Sequence, residues 1–226
     1  MNNIRSNVRW LHGGLVGLAF IIHTAYTYAE DIAFPEDTGV INVRGHGARG
    51  DGKHDDTEAL RRAIAETGGR RTLYLPDGVY LISDTVETRN KNGKGWVVFL
   101  SLQGQSTDGT IIKIKDNSPA FADASKPAPM LRTRDGNMAF RYRFSHFTLD
   151  TGEGNPGATG IAFISCNLGS LMHVNVRSGD PDGKGAVGID CTGSNPGLSL
   201  VKHVTVSGFD VGIDFGSIYP GMAFEH

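Results

Sequence analysis

Val201-Lys202-His203-Val204-Thr205-Val206 is the stretch that decides the fold, because the same pattern recurs along the second half of the chain. It reads apolar, any residue, His, apolar, polar, apolar, and it also occurs at 144–149 and 171–176. A further copy begins at 224–226, and the four histidines are 27, 30 and 23 residues apart. Self-similarity at this period predicts a solenoid, in which each repeat supplies one supersecondary unit.

A second, Gly-Ile pattern interleaves with the first. Its copies lie at 160–163, 188–191 and 212–215. Each repeat therefore contains at least two short strands, and no helical periodicity of comparable length intervenes. Strands that recur once per repeat in one direction stack into parallel sheets, with Ile161, Ile189 and Ile213 in one inward column. The sequence predicts an all-β fold, a right-handed parallel β-helix whose hand follows from the usual crossover preference.

The front half predicts one short helix. Asp55 or Asp56 is suited to cap the run 57–67, whose apolar residues lie on one face, and Gly68 is suited to end it. The segment 72–82 then predicts two strands around a tight Pro-Asp-Gly corner.

This front segment resembles a known family. The matching residues are Gly47-Ala-Arg-Gly-Asp-Gly52, Asp55-Asp-Thr57, Ala59, Ala63-Ile64, Tyr74-Leu-Pro76, Gly78, Tyr80 and Ile82. They are similar to the N-terminal signature of the pectate-lyase-like superfamily, in its rhamnogalacturonase/epimerase-like branch. The resemblance implies that the short α-helix caps the N-terminal end of the β-helix, and that the protein acts on or binds a polysaccharide. It carries over no site residue, because the Asn-Thr-Asp motif of polygalacturonases and the Asp-Pro-His motif of alginate epimerases are both absent.

The chain is predicted to have two parts. Residues 1–29 have a positive start, an apolar core and a small-x-small end, which predicts a signal peptide and a secreted protein, extracellular or periplasmic. An uncleaved membrane anchor is the alternative. Residues 30–226 are predicted to form one β-helix domain, with the cap at about 40–83 and the coils at about 84–226. The broken fourth repeat predicts an N-terminal fragment of a longer protein, truncated at its C-terminus.

Net charge and cysteine content exclude some classes of protein. Loss of Arg5 and Arg9 with the signal peptide would change the formal net charge from -2 to -4, which excludes the basic footprint of a nucleic-acid-binding protein. Once the signal peptide is cleaved, no membrane association is expected. Cys166 and Cys191 are too few for a disulfide framework, and two buried free thiols are predicted.

Asp190 and Asp214 are the candidate catalytic acids, because both follow an inward isoleucine and should point outward on neighbouring coils. Coils about 4.8 Å apart would hold the two carboxylates side by side, close to the spacing in glycosidases that retain configuration. Asp210 is the predicted third acid. The alternative is a solvated column of splayed side chains with no catalytic role.

The predicted function is a glycoside hydrolase acting on a plant or microbial polysaccharide. Hydrolysis is favoured slightly over β-elimination by a polysaccharide lyase, because no lysine or arginine is expected on the outward column of Asp190 and Asp214. The second alternative is a non-catalytic glycan-binding module, similar to a tailspike, for which a trimer is conceivable. No cofactor is required, although calcium on stacked acids is compatible with this fold.

Other side chains are candidates for binding. The arginines Arg132, Arg134, Arg141 and Arg143 could pair with the carboxylates of an acidic sugar polymer, or form an ordinary exposed surface. The aromatic candidates for sugar stacking are Trp96, Tyr74, Tyr80 and Tyr142. The histidines His146, His173 and His203 are expected to stack at a corner of the coil; a metal site is the alternative.

Overall fold

The computed structural model of the protein describes residues 32–35, 38–216 and 221–226. The predicted signal peptide lies outside these residues. Within these residues, fifteen strands wind around three faces, and every pairing between them is parallel. The predicted right-handed parallel β-helix is confirmed.

The strands divide among the three faces as follows. The first face contains β1 (Val40–Asn42), β3 (Thr72–Leu75), β6 (Ser101–Gly104) and β15 (Met222–Glu225). The second face contains β2 (Asp51–Asp55), β4 (Gly78–Ile82) and β7 (Thr110–Ile114). The first and second faces share the long strands β9 (Arg143–Asp150), β11 (Gly169–Arg177) and β13 (Ser199–Ser207), which bend from one to the other. The third face contains β5 (Val86–Glu87), β8 (Ala128–Arg132), β10 (Ala158–Ala162), β12 (Val187–Asp190) and β14 (Val211–Asp214).

The register stacks like residues on like. Ile161 pairs with Ile189, which pairs with Ile213, so the predicted inward column is present. The corresponding columns of the first two faces are also present: Phe147, Val174 and Val204, and Leu149, Val176 and Val206. Because parallel strands hydrogen-bond in register, each apolar residue extends a core column from coil to coil.

The repeats are more numerous than the sequence pattern predicts. Three complete copies carry the His pattern, but two earlier coils, β3–β5 and β6–β8, precede them in the same sheets. Leu73 pairs with Leu102, which pairs with Phe144, so the front coils continue the same core columns. These coils lack the corner histidine, and the sequence pattern therefore missed them.

In the part of the chain that the structure describes, one α-helix covers the N-terminal end of the core, as the family resemblance implies. Helix α1 (Thr57–Thr67) buries Leu60, Ala63 and Ile64 against the coil below. Of the two aspartates before the helix, only Asp55 bonds to its first turn through the side chain. Asp55 Oδ1 accepts from the Thr57 N–H at 3.0 Å, whereas the side chain of the fully buried Asp56 accepts no bond from the helix.

Asp56 instead closes the glycine-rich turn before the helix. Its two carboxylate oxygens accept the backbone N–H groups of Arg49 and Gly50 at 2.8 and 2.9 Å. The two N–H groups are the hydrogen-bond partners of a carboxylate that is removed from water. Burial raises the pKa of Asp56, although the bonds from the two N–H groups act to lower it. The Asp-Asp pair therefore ties the turn to the helix, which accounts for it without a catalytic role.

A buried asparagine holds the turns between the second and third faces. The Asn155 side chain, 1% exposed, accepts the Ser118 N–H at 2.8 Å and donates to the carbonyls of Thr151 at 2.7 Å and Lys115 at 3.0 Å. These partners belong to two consecutive coils, so one amide fixes both turns where the chain enters the third face.

We expect Asn155→Ala to lower the free energy of unfolding by about 3 kcal/mol, because it leaves several buried polar groups unpaired. Urea denaturation measures the change. The matched control is Asn137→Ala, which removes an exposed amide that bonds only another exposed amide, and it should cost less than about 0.5 kcal/mol. Equal losses in the two variants would contradict the assigned role.

Candidate functional site

One row of outward residues crosses the third face at the C-terminal ends of its strands. In register, it consists of Glu87, Arg132, Ala162, Asp190 and Asp214. We call these five residues the charged row. Each follows an inward apolar residue, and side chains alternate between the two sides of a strand, so all five point away from the core.

The composition of the charged row differs from the sequence prediction in one respect. No lysine or arginine was expected on the column of Asp190 and Asp214, but Arg132 stands on it, two strands from Asp190. The strand that carries Arg132 reads Ala-Pro-Met-Leu-Arg and lacks the Gly-Ile pattern, so it could not be aligned with the repeats from sequence. The absence of a basic residue therefore does not favour hydrolysis.

Asp190 and Asp214 are register neighbours, as predicted. One oxygen of each carboxylate closes the turn that follows its strand. Asp190 Oδ1 accepts from the Thr192 N–H at 2.8 Å and from its hydroxyl at 2.7 Å, and Asp214 Oδ1 accepts from the Gly216 N–H at 3.0 Å. These bonds fix the direction of both carboxylates. Their catalytic role stays a prediction.

Both carboxylates act electrostatically on the buried thiol of Cys191. Burial, followed by the charges of Asp190 and Asp214, raises the pKa of Cys191 to about 12. The thiol is therefore protonated at neutral pH and unreactive as a nucleophile. Cys191 and Cys166 are both free and buried, as predicted.

Asp210 is not brought to this pair. It precedes β14, and its N–H donates to the Gly185 carbonyl at 3.0 Å, whereas Asp214 ends the same strand. Four residues of extended chain place the two about 13 Å apart along the strand. Asp210 and Asp214 thus lie at opposite ends of β14, and the predicted third acid does not lie beside Asp190 and Asp214.

The four predicted arginines do not form one surface. Arg132 lies on the third face, with Nη1 3.3 Å from Glu87 Oε1. Arg143 lies at the start of β9 on the first face, and Arg141 just before it donates from Nε to the Asn167 carbonyl at 3.2 Å. Arg134 follows β8 by two residues, and its backbone N–H donates to a buried tyrosine hydroxyl. A role in substrate binding stays a prediction for all four.

An open groove of about 330 Å³ lies over the charged row. Its walls are formed by Glu87, Arg89, Trp96, Arg132, Thr133, Asp135, Ala162, Ile164, Asp190, Thr192 and Gly193. It contains arginines at one end, acids at the other and an apolar floor between them. Ligand sites typically combine such an apolar surface with a few fixed polar groups.

The cationic end of the groove is a connected cluster that sequence reasoning missed. Arg89 Nε donates to Glu87 Oε2 at 2.9 Å, and the Arg89 guanidinium lies 3.8 Å from the centre of the Trp96 ring. Arg89 and Trp96 face each other across a short antiparallel hairpin that follows β5. The signal was hidden because β5 has only two residues.

Of the four aromatic candidates for sugar stacking, only Trp96 borders the groove. Tyr74, Tyr80 and Tyr142 are 6%, 0% and 0% exposed, so they cannot stack on a sugar. Tyr142, for example, donates its hydroxyl to the Val97 carbonyl at 2.9 Å inside the core. The aromatic pattern of the sequence did not separate core residues from surface residues.

The histidines form the predicted ladder. The rings of His146 and His173 stack at 4.8 Å, and those of His173 and His203 also at 4.8 Å. All three backbones are left-handed, with φ of 61°, 53° and 52°, and they bend the long strands from the first face to the second. Among the residues that the structure describes, no three His, Cys, Asp or Glu side chains are arranged to hold a metal ion.

The acidic turn that begins at Asp180 is held by its own hydrogen bonds. Asp180 accepts the Gly154 N–H at 3.2 Å with one oxygen and the Asp182 N–H at 2.9 Å with the other. The use of calcium stays a prediction. Within 32–35, 38–216 and 221–226, no helix is long and apolar enough to cross a membrane.

The histidine ladder predicts a loss of stability in acid. Burial, reinforced by His173, lowers the pKa of His146 below its ordinary value. The unfolded chain therefore binds a proton more readily, so stability is full above about pH 6.5 and falls as the pH drops through that value toward the lower pKa of the folded state. His146→Asn, which accepts a left-handed backbone, should flatten this part of the profile.

The profile is measured as the free energy of unfolding in urea between about pH 7 and about pH 5, the range in which histidine titrates. His54→Asn, at an exposed histidine in β2, is the control and should keep the parent's dependence. An unchanged slope in His146→Asn would show that the ladder does not carry the effect.

Comparison with known proteins identifies the family. The family model described as rhamnogalacturonase A/epimerase, pectate lyase-like matches residues 40–223. Alginate lyase 7 of Azotobacter vinelandii is 33% identical over 119 residues, which are 50% of this chain and 13% of that protein. Glucan 1,3-beta-glucosidase of Cochliobolus carbonum is 26% identical over 146 residues, 63% of this chain and 17% of that protein. The chain thus spans less than a fifth of these relatives.

Solved structures agree on the fold. The A-module of the mannuronan C-5 epimerase AlgE4 of Azotobacter vinelandii aligns with a TM-score of 0.50 and 21% identity, over 81% of this chain and 49% of that one. ORF18 of Geobacillus virus E2 aligns with a TM-score of 0.52 and 17% identity, over 79% and 39%. At these identities the likeness concerns the fold alone. Because the family model covers 40–223, the chain belongs to the rhamnogalacturonase A/epimerase, pectate lyase-like family.

Proposed function

We propose that this chain belongs to a polysaccharide-active protein that binds an extended glycan in the groove over the charged row. The observation that carries the proposal is the groove itself, in which Arg132 and Asp190 face each other across Ala162, with Trp96 at one side. Function is argued from this site, because the fold hosts several activities.

The relatives support the class of substrate. Their names specify an alginate lyase, a glucan 1,3-beta-glucosidase and a mannuronan C5-epimerase, so polysaccharide is what these proteins share. Export fits such a substrate. Secretion, cleavage after residue 29 and the oligomeric state stay predictions from the sequence.

Hydrolysis of a glycosidic bond is the proposed reaction, with Asp190 and Asp214 as the paired acids. Register neighbours lie about 4.8 Å apart, near the 5–5.5 Å of retaining glycosidases. Arg132 is a poor candidate for the base of a lyase, because a guanidinium does not deprotonate in proteins. It lies two strands from Asp190 and contacts Glu87, which suits a binding role better.

A non-catalytic glycan-binding module is the second candidate, and the turns after the strands favour it. Asp123, which precedes β8 and lies outside the groove lining, accepts from the Ser125 N–H at 2.9 Å and hydroxyl at 2.6 Å. Asp190 makes the same two bonds with Thr192. Closing a turn is thus sufficient to explain Asp190 if no turnover is found.

Asp190→Asn and Asp214→Asn separate the two candidates. An asparagine oxygen can still accept the turn N–H, so each variant removes the charge and keeps the turn. We expect turnover of the responsive glycan to fall at least about 100-fold with binding retained. Released reducing ends, measured on alginate and on 1,3-β-glucan, report cleavage, and the ultraviolet absorbance of an unsaturated uronate would reveal elimination instead.

The matched control is Asp123→Asn, which changes the same kind of turn outside the groove and should keep full activity. Unchanged turnover in both row variants would overturn the assigned acids. A parent protein that binds glycan without releasing any product would support the binding module.

A further inference from the structure

The charged row is interrupted at Ala162, which is one of the residues that line the groove. Its neighbours in register are Arg132 on one side and Asp190 on the other. Two strand spacings separate these two charged residues, about 10 Å in all. The methyl group between them leaves an opening wide enough for a single sugar ring.

The arginine side of this opening carries an excess of positive charge. Two guanidinium groups, Arg89 at 2.9 Å and Arg132 at 3.3 Å, share the single carboxylate of Glu87. One positive charge therefore lacks a counter-charge within the cluster. An anion placed here would gain charge-assisted hydrogen bonds from the two guanidinium groups, whose combined charge exceeds the single negative charge of Glu87.

Arg132 is the member of this cluster that can turn to a ligand. Arg89 is held twice, by Glu87 and by its stacking on Trp96. Arg132 has the longer contact with Glu87, and its side chain is 43% exposed. Its planar guanidinium matches a carboxylate with two parallel hydrogen bonds.

The opposite side of the opening is acidic and accepts hydrogen bonds. Asp190 borders the groove, and Asp135 stands beside it with Oδ1 accepting the N–H groups of Gly136 at 2.6 Å and Ser194 at 2.7 Å. Sugar hydroxyls donate to such carboxylates, whereas a second sugar carboxylate would be repelled by them. The opening is therefore basic on one side and acidic on the other, so a sugar with one carboxylate fits it in one orientation only.

We infer that the opening over Ala162 is a subsite for a uronic acid residue of the polysaccharide. The sugar carboxylate binds Arg132, and the hydroxyls on the far side of the ring donate to Asp190. Ala162 determines specificity by its size, because any larger side chain on this strand would fill the space that the ring needs. The inference rests on the proposed function and adds the class of sugar.

Calorimetry tests the inference by measuring the affinity for two oligosaccharides of equal length. One is a mannuronate oligomer, and the other is a neutral 1,3-β-glucan oligomer. The parent should prefer the uronate. Arg132→Gln should weaken uronate binding at least about 10-fold, the loss of a charge-assisted bond, and Arg132→Lys should weaken it less. Ala162→Gln should also weaken it, while the smaller Ala162→Gly should not.

Arg70→Gln is the matched control, because this exposed arginine lies between α1 and β3, outside the groove, and should not affect binding. Circular dichroism verifies that each variant is folded, and the outward Ala162 variants give a second test if Arg132→Gln is not. Equal affinity for the two oligomers, or uronate binding unaffected by Arg132→Gln and Ala162→Gln, would overturn the subsite and leave the proposed function standing. If neither these oligomers nor any tested polysaccharide binds, both proposals fail.

Discussion

Parallel hydrogen bonding between consecutive coils is the constraint on which the rest of the structure depends. Each turn of the chain returns to the same face about one strand spacing further on, so residues far apart in sequence become neighbours in a row. Glu87 and Arg132 are 45 residues apart, yet they are register partners, as are Arg132 and Ala162 at 30. The same register that aligns the inward isoleucines aligns the outward charges, so the core and the candidate site have one origin.

The register also explains how the side chains of the charged row are held in place. Backbone bonds fix the strands, and the turns that follow them fix the side chains at their ends. The carboxylates of Asp190 and Asp214 each use one oxygen to close a turn. At the other end of the row, Glu87 is held by two arginines. A binding site built in this way loses little side-chain entropy when a ligand arrives, because its groups are already oriented.

Most of the fold could be predicted from the sequence, because each coil of a solenoid repeats the same pattern of apolar and polar residues. The His and Gly-Ile patterns predicted the inward columns and the neighbouring positions of Asp190 and Asp214, and the apolar face of 57–67 predicted the capping helix. The two front coils were missed because they do without the corner histidine. Their strands include β5 with only two residues, too short for any periodicity to be recognised.

The candidate site was less accessible for a related physical reason. Its cationic half comes from the front coils, so Glu87 and Arg89 were not singled out, and Arg132 was grouped with arginines that lie elsewhere. Asp210 precedes the four-residue strand β14 and Asp214 ends it, and the two ends of even a short strand face different surroundings. Sequence patterns revealed which residues point outward; only the register between coils reveals which outward residues meet.

A crystal structure with a bound uronate oligosaccharide would test directly whether the groove over the charged row binds glycan. We expect a sugar ring over Ala162, with its carboxylate on Arg132 and its hydroxyls toward Asp190. An oligosaccharide bound on the first or second face, with the groove empty, would contradict it.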